Sequence, residues 1–330
     1  MDDPVRGALR EAADTGLMPP GAGILMAVSG GADSLALLHG AAEVAAPYGW
    51  SLSVAHVEHG WRGRDAERDV AFVREHARRL RLPFALRRVD ARSEARRLRL
   101  SPEAGARHAR YGALTEIARE AGATLIATAH QREDALESYL IARERRAGLG
   151  GLGGPRRSRD DGVVRPLLDV GRRDILAFLA ARGLPHRRDA SNGDLRLLRN
   201  GIRRRLAEAV RRDGPAALEA LHAEAAAWRR RRETVDRELA ERILPALRLG
   251  PNETLADAAL LQASAPDLQR RALELASVPF ARSGRAPFTG REREEILRRL
   301  RSGGDFRFEA GRRIRFERRG DALRVRRVGA

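Results

Sequence analysis

The chain has 330 residues and a formal net charge of +18, and because it contains no lysine, all 63 of its basic residues are arginines. The missing lysine excludes a Walker-type P-loop and pyridoxal-phosphate or other Schiff-base chemistry, and the missing cysteine excludes thiolate nucleophiles, thiolate-bound zinc, iron–sulfur clusters and disulfides. Codon bias in a GC-rich genome explains arginine in place of lysine but not the positive excess. That excess lies mainly in residues 61–110 and beyond 150, which favours a polyanionic partner over a merely arginine-rich surface.

The length favours two domains of roughly 100–200 residues each. The sequence Asp213-Gly214-Pro215 predicts the boundary between them, giving domains at 1–213 and 214–330. The amino-terminal stretch is acidic and lacks an apolar core, and no apolar run approaches the roughly 18 residues of a spanning helix. These features predict a soluble cytoplasmic protein without membrane contact, and they leave the oligomeric state open.

Strands alternate with helices in the first half of the chain. A helix over 5–14 is followed by an apolar strand at 23–28, a Gly-rich loop at 29–34 and a helix that continues to about 46. The pattern then predicts strands at 51–57, 83–89 and 124–128, and helices at 65–81, 102–121, 134–145 and 171–182. Such alternation predicts an α/β fold with a parallel, Rossmann-like sheet.

The rest of the chain is mainly helical by its pattern. The Gly- and Arg-rich segment 147–162 predicts a mobile loop, and helices are expected at 194–212, at 216–247 and onward to about 302. From residue 306 the chain alternates apolar and basic residues, which predicts a small antiparallel sheet with one arginine-lined face. The second domain is therefore expected to be mainly helical with a small terminal sheet, and its arginines to bind nucleic acid or another polyanion.

The first candidate site is the loop between the first strand and its helix. Its glycines allow close backbone approach, its N–H groups and the helix N-terminus can hold phosphate without lysine, and its carboxylate can bind Mg²⁺ or cap the helix. Two glycines alone would indicate an ordinary turn. The whole string resembles the PP-loop of the N-type ATP pyrophosphatases, which cleave ATP to AMP and pyrophosphate. Its residues are Ser29, Gly30, Gly31, Ala32, Asp33 and Ser34.

Later segments resemble one branch of that superfamily, the tRNA(Ile)-lysidine synthases, in the same order and over about residues 20–210. They are His56–Arg62, Ala106–Tyr111, Ala129–Ser138, Arg165–Leu168 and the block from His186 to Arg203. Four positions depart from the family pattern. Glu58 stands for Asn, Gln131 for His, Glu133 for Asp and Ser138 for Thr, so the role of residue 133 is in question.

The resemblance implies a reaction with ATP, Mg²⁺, free L-lysine and an isoleucine tRNA that carries a CAU anticodon. O2 of the wobble cytidine is adenylated with release of pyrophosphate, and the lysine ε-amine then attacks C2 and releases AMP. The loop would hold the phosphates, with Asp33 as a catalytic residue and the metal ligand. His56, at the end of the second strand, is expected beside the adenosine.

The remaining site residues follow from the same resemblance. Asp134 and Glu137 are three residues apart on one helix face and could bind the lysine ammonium. Because the pKa of this ammonium is near 10.4, a proton acceptor is needed before the amine can attack. Taken alone, the pair is more simply interpreted as two solvated surface acids. Substrate or tRNA contacts are expected from Arg107, also a catalytic candidate, and from His130, Arg110, Arg143, Arg199 and Arg203. Another PP-loop ligase and a catalytically inactive RNA-binding protein remain as alternatives.

Overall fold

The computed structural model describes residues 3–58, 64–187, 211–212, 214–280, 288–311 and 313–328. The chain divides into two compact units, Met1–Ala227 and Trp228–Ala330. This division falls later in the chain than the domain boundary proposed at Asp213, which stays a prediction. Residues 59–63 and the motif block at 188–210, with the predicted contacts Arg199 and Arg203, lie outside the described residues.

A parallel sheet with the strand order β3-β2-β1-β4-β5 forms the centre of the first unit. Its strands are β1 (Gly23–Ala27), β2 (Ser51–Glu58), β3 (Phe84–Arg88), β4 (Leu125–Ala127) and β5 (Val163–Val164). The helices are α1 (Pro4–Asp14), α2 (Ala32–Tyr48), α3 (Arg64–Arg79), α4 (Ala91–Leu98), α5 (Pro102–Glu120), α6 (Arg132–Glu144), α7 (Leu149–Leu152) and α8 (Arg172–Ala181). The predicted α/β fold is confirmed.

Helices cover both faces of this sheet because its central strands are apolar on both sides. Ile24 and Met26 of β1 pack with buried residues of α1, α2, α3 and α8, whereas Leu25 packs with α5 on the opposite face. The chain runs from β1 outward through β2 and β3 and then returns to the other side of β1 as β4. The carboxyl ends of β1 and β4 therefore flank the topological switch point, where open α/β sheets bind their ligands.

The second unit combines helices with a small antiparallel sheet of strand order β6-β7-β10-β9-β8. The long helix α9 (Pro215–Glu238) crosses the division between the units. A π-helical turn (Leu239–Ile243) and a 3-10 turn (Leu244–Ala246) follow it. Then come β6 (Arg248–Leu249), β7 (Glu253–Asp257), α10 (Ala258–Ala263), α11 (Pro266–Ala276), a 3-10 turn (Val278–Phe280), α12 (Gly290–Ser302), β8 (Phe306–Ala310), β9 (Ile314–Arg319) and β10 (Ala322–Arg327). The predicted mainly helical region with a terminal sheet is confirmed.

Three local predictions were wrong or incomplete. Helices do not continue without a break to residue 302, because β6 and β7 intervene. β6 pairs with β7, and β7 pairs with the distant β10. The exposed face of the sheet is not purely basic, since Glu309 and Glu317 form ion pairs with its arginines. The segment 147–162 contains α7 and a backbone bridge between Ser158 and Val164 where a loop was expected.

Candidate active site

The loop 29–34 joins the carboxyl end of β1 to the N-terminus of α2 and is held by its own hydroxyl groups. Ser34 Oγ donates to the Gly31 carbonyl at 2.9 Å and accepts from the Ser29 backbone N–H at 3.2 Å. Gly30 has a φ of +91°, which favours glycine at this position. In the described structure no side chain caps α2 at Gly31, so the N–H groups of its first turn are donors available to an anion.

His56 ties the end of β2 to the residue that precedes this loop. Its Nδ1 donates to the Val28 carbonyl over 2.7 Å, and the side chain is buried. Because the carbonyl can only accept, the proton lies on Nδ1 and Nε2 is the ring atom with acceptor capacity. The histidine predicted beside the adenosine is thus fixed in position and in tautomer next to the loop.

Asp33 lies in the first turn of α2, where its carboxylate is 29% exposed. Its Oδ1 is 3.4 Å from Nη1 of Arg172, the first residue of α8. Mg²⁺ commonly binds through one or two carboxylates and the substrate phosphates while keeping several waters. A single accessible carboxylate beside a phosphate cradle fits that mode of binding.

A cavity of about 960 Å³ opens beside the residues that follow β4. The structure brings Arg107, His130 and Asp134 together in its lining, as the motif resemblance predicts for one site. Of the described candidates, His56, Glu137, Arg110, Arg143 and the loop 29–34 do not line it. The loop and the cavity are thus two neighbouring features at the carboxyl ends of β1 and β4.

The ring of His130 is oriented by a buried arginine. Arg165 is 2% exposed, and its guanidinium donates from Nε to His130 Nδ1 at 3.3 Å and from Nη1 to the Arg156 carbonyl at 2.6 Å. The Thr128 hydroxyl also lies 3.2 Å from this nitrogen. Because an arginine can only donate, His130 accepts at Nδ1 and its neutral ring carries the proton on Nε2. Burial lowers the pKa of the Arg165 guanidinium. His130 is therefore arranged to donate a hydrogen bond from Nε2 rather than to act as a base there.

The ring of Tyr111 contacts three arginines, of which Arg107 and Arg159 line the cavity. The guanidinium carbons of Arg107, Arg110 and Arg159 lie 4.8, 5.3 and 4.6 Å from its ring centroid, within the range of cation–π attraction. Burial alone would raise the pKa of Tyr111, but the charges of Arg110, Arg107 and Arg165 outweigh burial and hold the pKa below 10.0. Several positive charges are thereby concentrated where an anion could bind.

The acidic helix α6 places its two predicted carboxylates differently. Asp134 Oδ2 accepts from the Gln131 backbone N–H at 3.1 Å, completing a capping box, while the residue also lines the cavity. Glu137 is only 4% exposed. Arg143, farther along α6, lies 3.4 Å from Glu224 and over the ring of Tyr139.

Sequence reasoning did not single out three of the arginines around this site. Arg165 was part of a quoted motif but received no role, because nothing in the sequence shows that it is buried beneath His130. Arg159 lay in the segment expected to be mobile, and Arg172 began an otherwise unremarked helix. In each case the signal is a contact between segments distant in the chain, which spacing does not reveal.

Comparisons with known proteins show the family of the chain and its fold. Residues 9–210 match the family of PP-loop domains. The chain is similar to tRNA(Ile)-lysidine synthases from Geobacter sulfurreducens (39% identity over 62% of this chain and 44% of the relative) and Chlorobaculum tepidum (40%, 58% and 57%). It is also similar to the one from Solibacter usitatus (34%, 87% and 68%). The chain thus spans about half the length of the first two relatives and two thirds of the third.

Among solved structures, the chain is similar to a U34-tRNA thiolase from Methanococcus maripaludis that holds a [4Fe-4S] cluster. The TM-score is 0.57 at 14% identity, over 69% of this chain and 78% of the other. This likeness concerns the fold, since the present chain has no cysteine to hold such a cluster through thiolates. Within the described residues, no helix combines the length and apolarity that crossing a membrane would require.

Proposed function

The chain belongs to the PP-loop family and, within it, to the family of the tRNA(Ile)-lysidine synthases, and on that premise we propose that it ligates L-lysine to C2 of the wobble cytidine of an isoleucine tRNA with a CAU anticodon. The family predicted from the motifs is thereby confirmed. The observation that carries the proposed activity is the pairing of an uncapped phosphate cradle at the end of β1 with a cavity lined by Arg107, His130 and Asp134 at the end of β4.

ATP is the first substrate. Its phosphates bind the N–H groups of the loop and of the first turn of α2, with the hydroxyls of Ser29 and Ser34 as further donors. His56, fixed at the end of β2, contacts the adenosine. Mg²⁺ held by Asp33 would spread the charge of the phosphates. Attack of cytidine O2 on the α-phosphorus then forms the adenylated cytidine and releases pyrophosphate.

Lysine capture is the second step. Asp134 lines the cavity, whereas Glu137 is nearly buried one helical turn farther along α6. The family resemblance assigns both carboxylates to binding the lysine ammonium and accepting its proton, so that the neutral ε-amine attacks C2 and AMP leaves with the bonding electron pair. His130 donates from Nε2 to a polar group of the reacting base, because Arg165 occupies its Nδ1. Arg107 lies beside these groups in the cavity lining and stabilises negative charge on the departing phosphate.

Arginines bind the phosphates of the tRNA backbone. Arg107 and Arg110 are arranged against Tyr111 for phosphate contacts, and Arg143 lies partly exposed on α6. We assign Arg199 and Arg203, which lie outside the described residues, to the same task. We assign further arginines of the second domain to tRNA binding as well.

One incubation tests the proposal. The full chain is combined with ATP, Mg²⁺, labelled L-lysine and an isoleucine tRNA transcript with a CAU anticodon, and the digested nucleosides are separated. Label in the wobble nucleoside, with one AMP and one pyrophosphate per lysine, is expected. A matched transcript with uridine in place of the wobble cytidine is the control, and ATP consumption without labelled nucleoside would overturn the proposed substrate.

A further inference from the structure

The first helix turns that follow β1, β4 and β5 meet through a short chain of polar contacts. Glu133, in the first turn of α6, accepts the backbone N–H of Arg172 with both carboxylate oxygens, at 3.2 and 3.1 Å. The Arg172 side chain then extends from the start of α8 to Asp33 Oδ1, 3.4 Å away. The chain of contacts therefore runs from the residue next to Asp134 to the phosphate cradle.

Glu133 supplies what the N-terminus of α8 lacks in its own sequence. The N-cap residue of α8 is Gly171, which has no side chain to accept a hydrogen bond from the first turn. A carboxylate at this position satisfies a backbone donor and interacts favourably with the positive end of the helix. A larger N-cap residue would also be crowded at position 171, because a Cβ there would lie 3.0 Å from Arg132 Nη2. Glu133 thus fixes where α8 begins and, with it, where Arg172 projects.

Arg172 has the charge and the location for a phosphate ligand. A carboxylate such as Asp33 at the mouth of an anion cradle repels phosphate unless a cation stands nearby. Arg172 provides that cation, and its guanidinium has further N–H donors besides the one directed at Asp33. The side chain is 53% exposed, so an incoming ligand can reach it.

We propose that Arg172 binds the polyphosphate of ATP and that Glu133 is a positioning residue that holds Arg172 at the cradle. This inference rests on the proposed function for the presence of ATP. It adds a phosphate ligand from α8, and it explains why a carboxylate at residue 133 is useful although it does not line the cavity.

The test measures ligand binding by the full-length chain, without tRNA, by isothermal titration calorimetry. Arg172→Ala should weaken binding of Mg²⁺–ATP and of pyrophosphate by about tenfold, as expected for one charge-assisted contact. Binding of adenosine, which lacks phosphate, should stay within about twofold. Arg173→Ala is the matched control, because it removes the same charge from the adjacent, exposed position of α8.

The positioning role has its own variants. Glu133→Gln keeps a carbonyl oxygen for the Arg172 N–H and should retain most of the ATP affinity, whereas Glu133→Ala should lose as much as Arg172→Ala. The double variant Glu133→Ala/Arg172→Ala should bind ATP no more weakly than either single variant, because both residues act through one contact with the phosphates. Glu133→Asp has a side chain one methylene shorter, and its ATP affinity should lie between those of Glu133→Gln and Glu133→Ala.

The outcomes separate this inference from the proposed function. If the wild-type chain binds no ATP, the proposed function and this inference both fail. If the wild type binds ATP and Arg172→Ala binds it equally well, only the inference is overturned. If Arg172→Ala weakens tRNA binding and leaves ATP binding unchanged, Arg172 contacts tRNA phosphate, which also overturns the inference.

Discussion

A pair of buried histidines between α2 and α3 predicts a loss of stability in mild acid. His39 of α2 and His76 of α3 are 9% and 2% exposed, and Nε2 of the first lies 2.8 Å from Nδ1 of the second. A single N–H between the two facing nitrogens suffices for this hydrogen bond, and protonation of both rings would place two positive charges in contact. Burial and the neighbouring His76, with weaker contributions from Arg182 and Arg79, lower the pKa of His39 from 6.5 to about 4, although the charge of Glu43 opposes the shift.

The sign and the size of the effect follow from linkage between protonation and folding. The folded pKa is depressed, so the unfolded chain binds the proton more readily, and the stabilisation is present above pH 6.5 and lost as the pH falls toward 4. At pH 5 the unfolded state is mostly protonated at this residue and the folded state mostly neutral, which lowers the free energy of unfolding by about 2 kcal/mol relative to pH 7. The full loss approaches about 3 kcal/mol below pH 4.

Urea unfolding at pH 7 and pH 5, followed by tryptophan fluorescence, checks this expectation, with Trp50 as a buried reporter in the same unit. His39→Gln removes the titrating ring but keeps an amide N–H for His76. Between pH 7 and pH 5, the free energy of unfolding of this variant should therefore fall by about 2 kcal/mol less than that of the wild type. His108→Gln is the control, since this histidine is 56% exposed. Equal pH dependence of wild type and His39→Gln would refute the reasoning.

Four further predictions concern the site and its support. Asp33→Asn should slow pyrophosphate release by about a hundredfold or more while tRNA affinity is kept, and a wild-type rate of release would contradict the role of Asp33. Glu137→Gln should release pyrophosphate but accumulate adenylated tRNA, and unchanged lysidine formation would count against it. The tRNA association constant should fall steeply with salt, because arginine–phosphate contacts release counterions, whereas a flat log–log plot would exclude such contacts. Gly105→Val should destabilise the fold by about 2 kcal/mol in urea, since its Cβ would lie 2.5 Å from the Ala95 backbone, whereas Gly112→Val, with open space around it, should have a smaller effect.

The parallel sheet was predictable because its signals are local. Each strand from β1 to β4 is a short apolar run, and the SGGADS string marks the turn from β1 into α2. The strands of the second unit were only partly predictable. The strand β7 is short, and its pairing partner β10 lies far along the chain, so the sequence around it carries no sign of the pairing. Helix α4 was missed for a similar reason, since it is short and mostly charged.

The candidate site was likewise predictable only where its signals are local in the sequence. The motifs located the loop, Arg107, His130 and Asp134, and the structure brings the last three into one cavity. They could not reveal that Arg165 fixes the tautomer of His130 or that Glu133 holds the start of α8, because both depend on contacts across the sheet. The departure from the family pattern at residue 133 thus became interpretable only through its contact with Arg172.

The absence of lysine gains a chemical meaning at this site. The adenylated cytidine of the proposed reaction is an electrophile, and any neutral amine within reach competes with the substrate. The cations around the cavity and the cradle, among them Arg107, Arg159, Arg165 and Arg172, are guanidiniums, which stay protonated and are poor nucleophiles. Because the chain has no lysine, no side-chain amine of the protein can be ligated in place of the free amino acid. In the proposed reaction, an arginine-only site would therefore hold the phosphates of ATP and tRNA while leaving the substrate lysine as the one ε-amine able to attack C2.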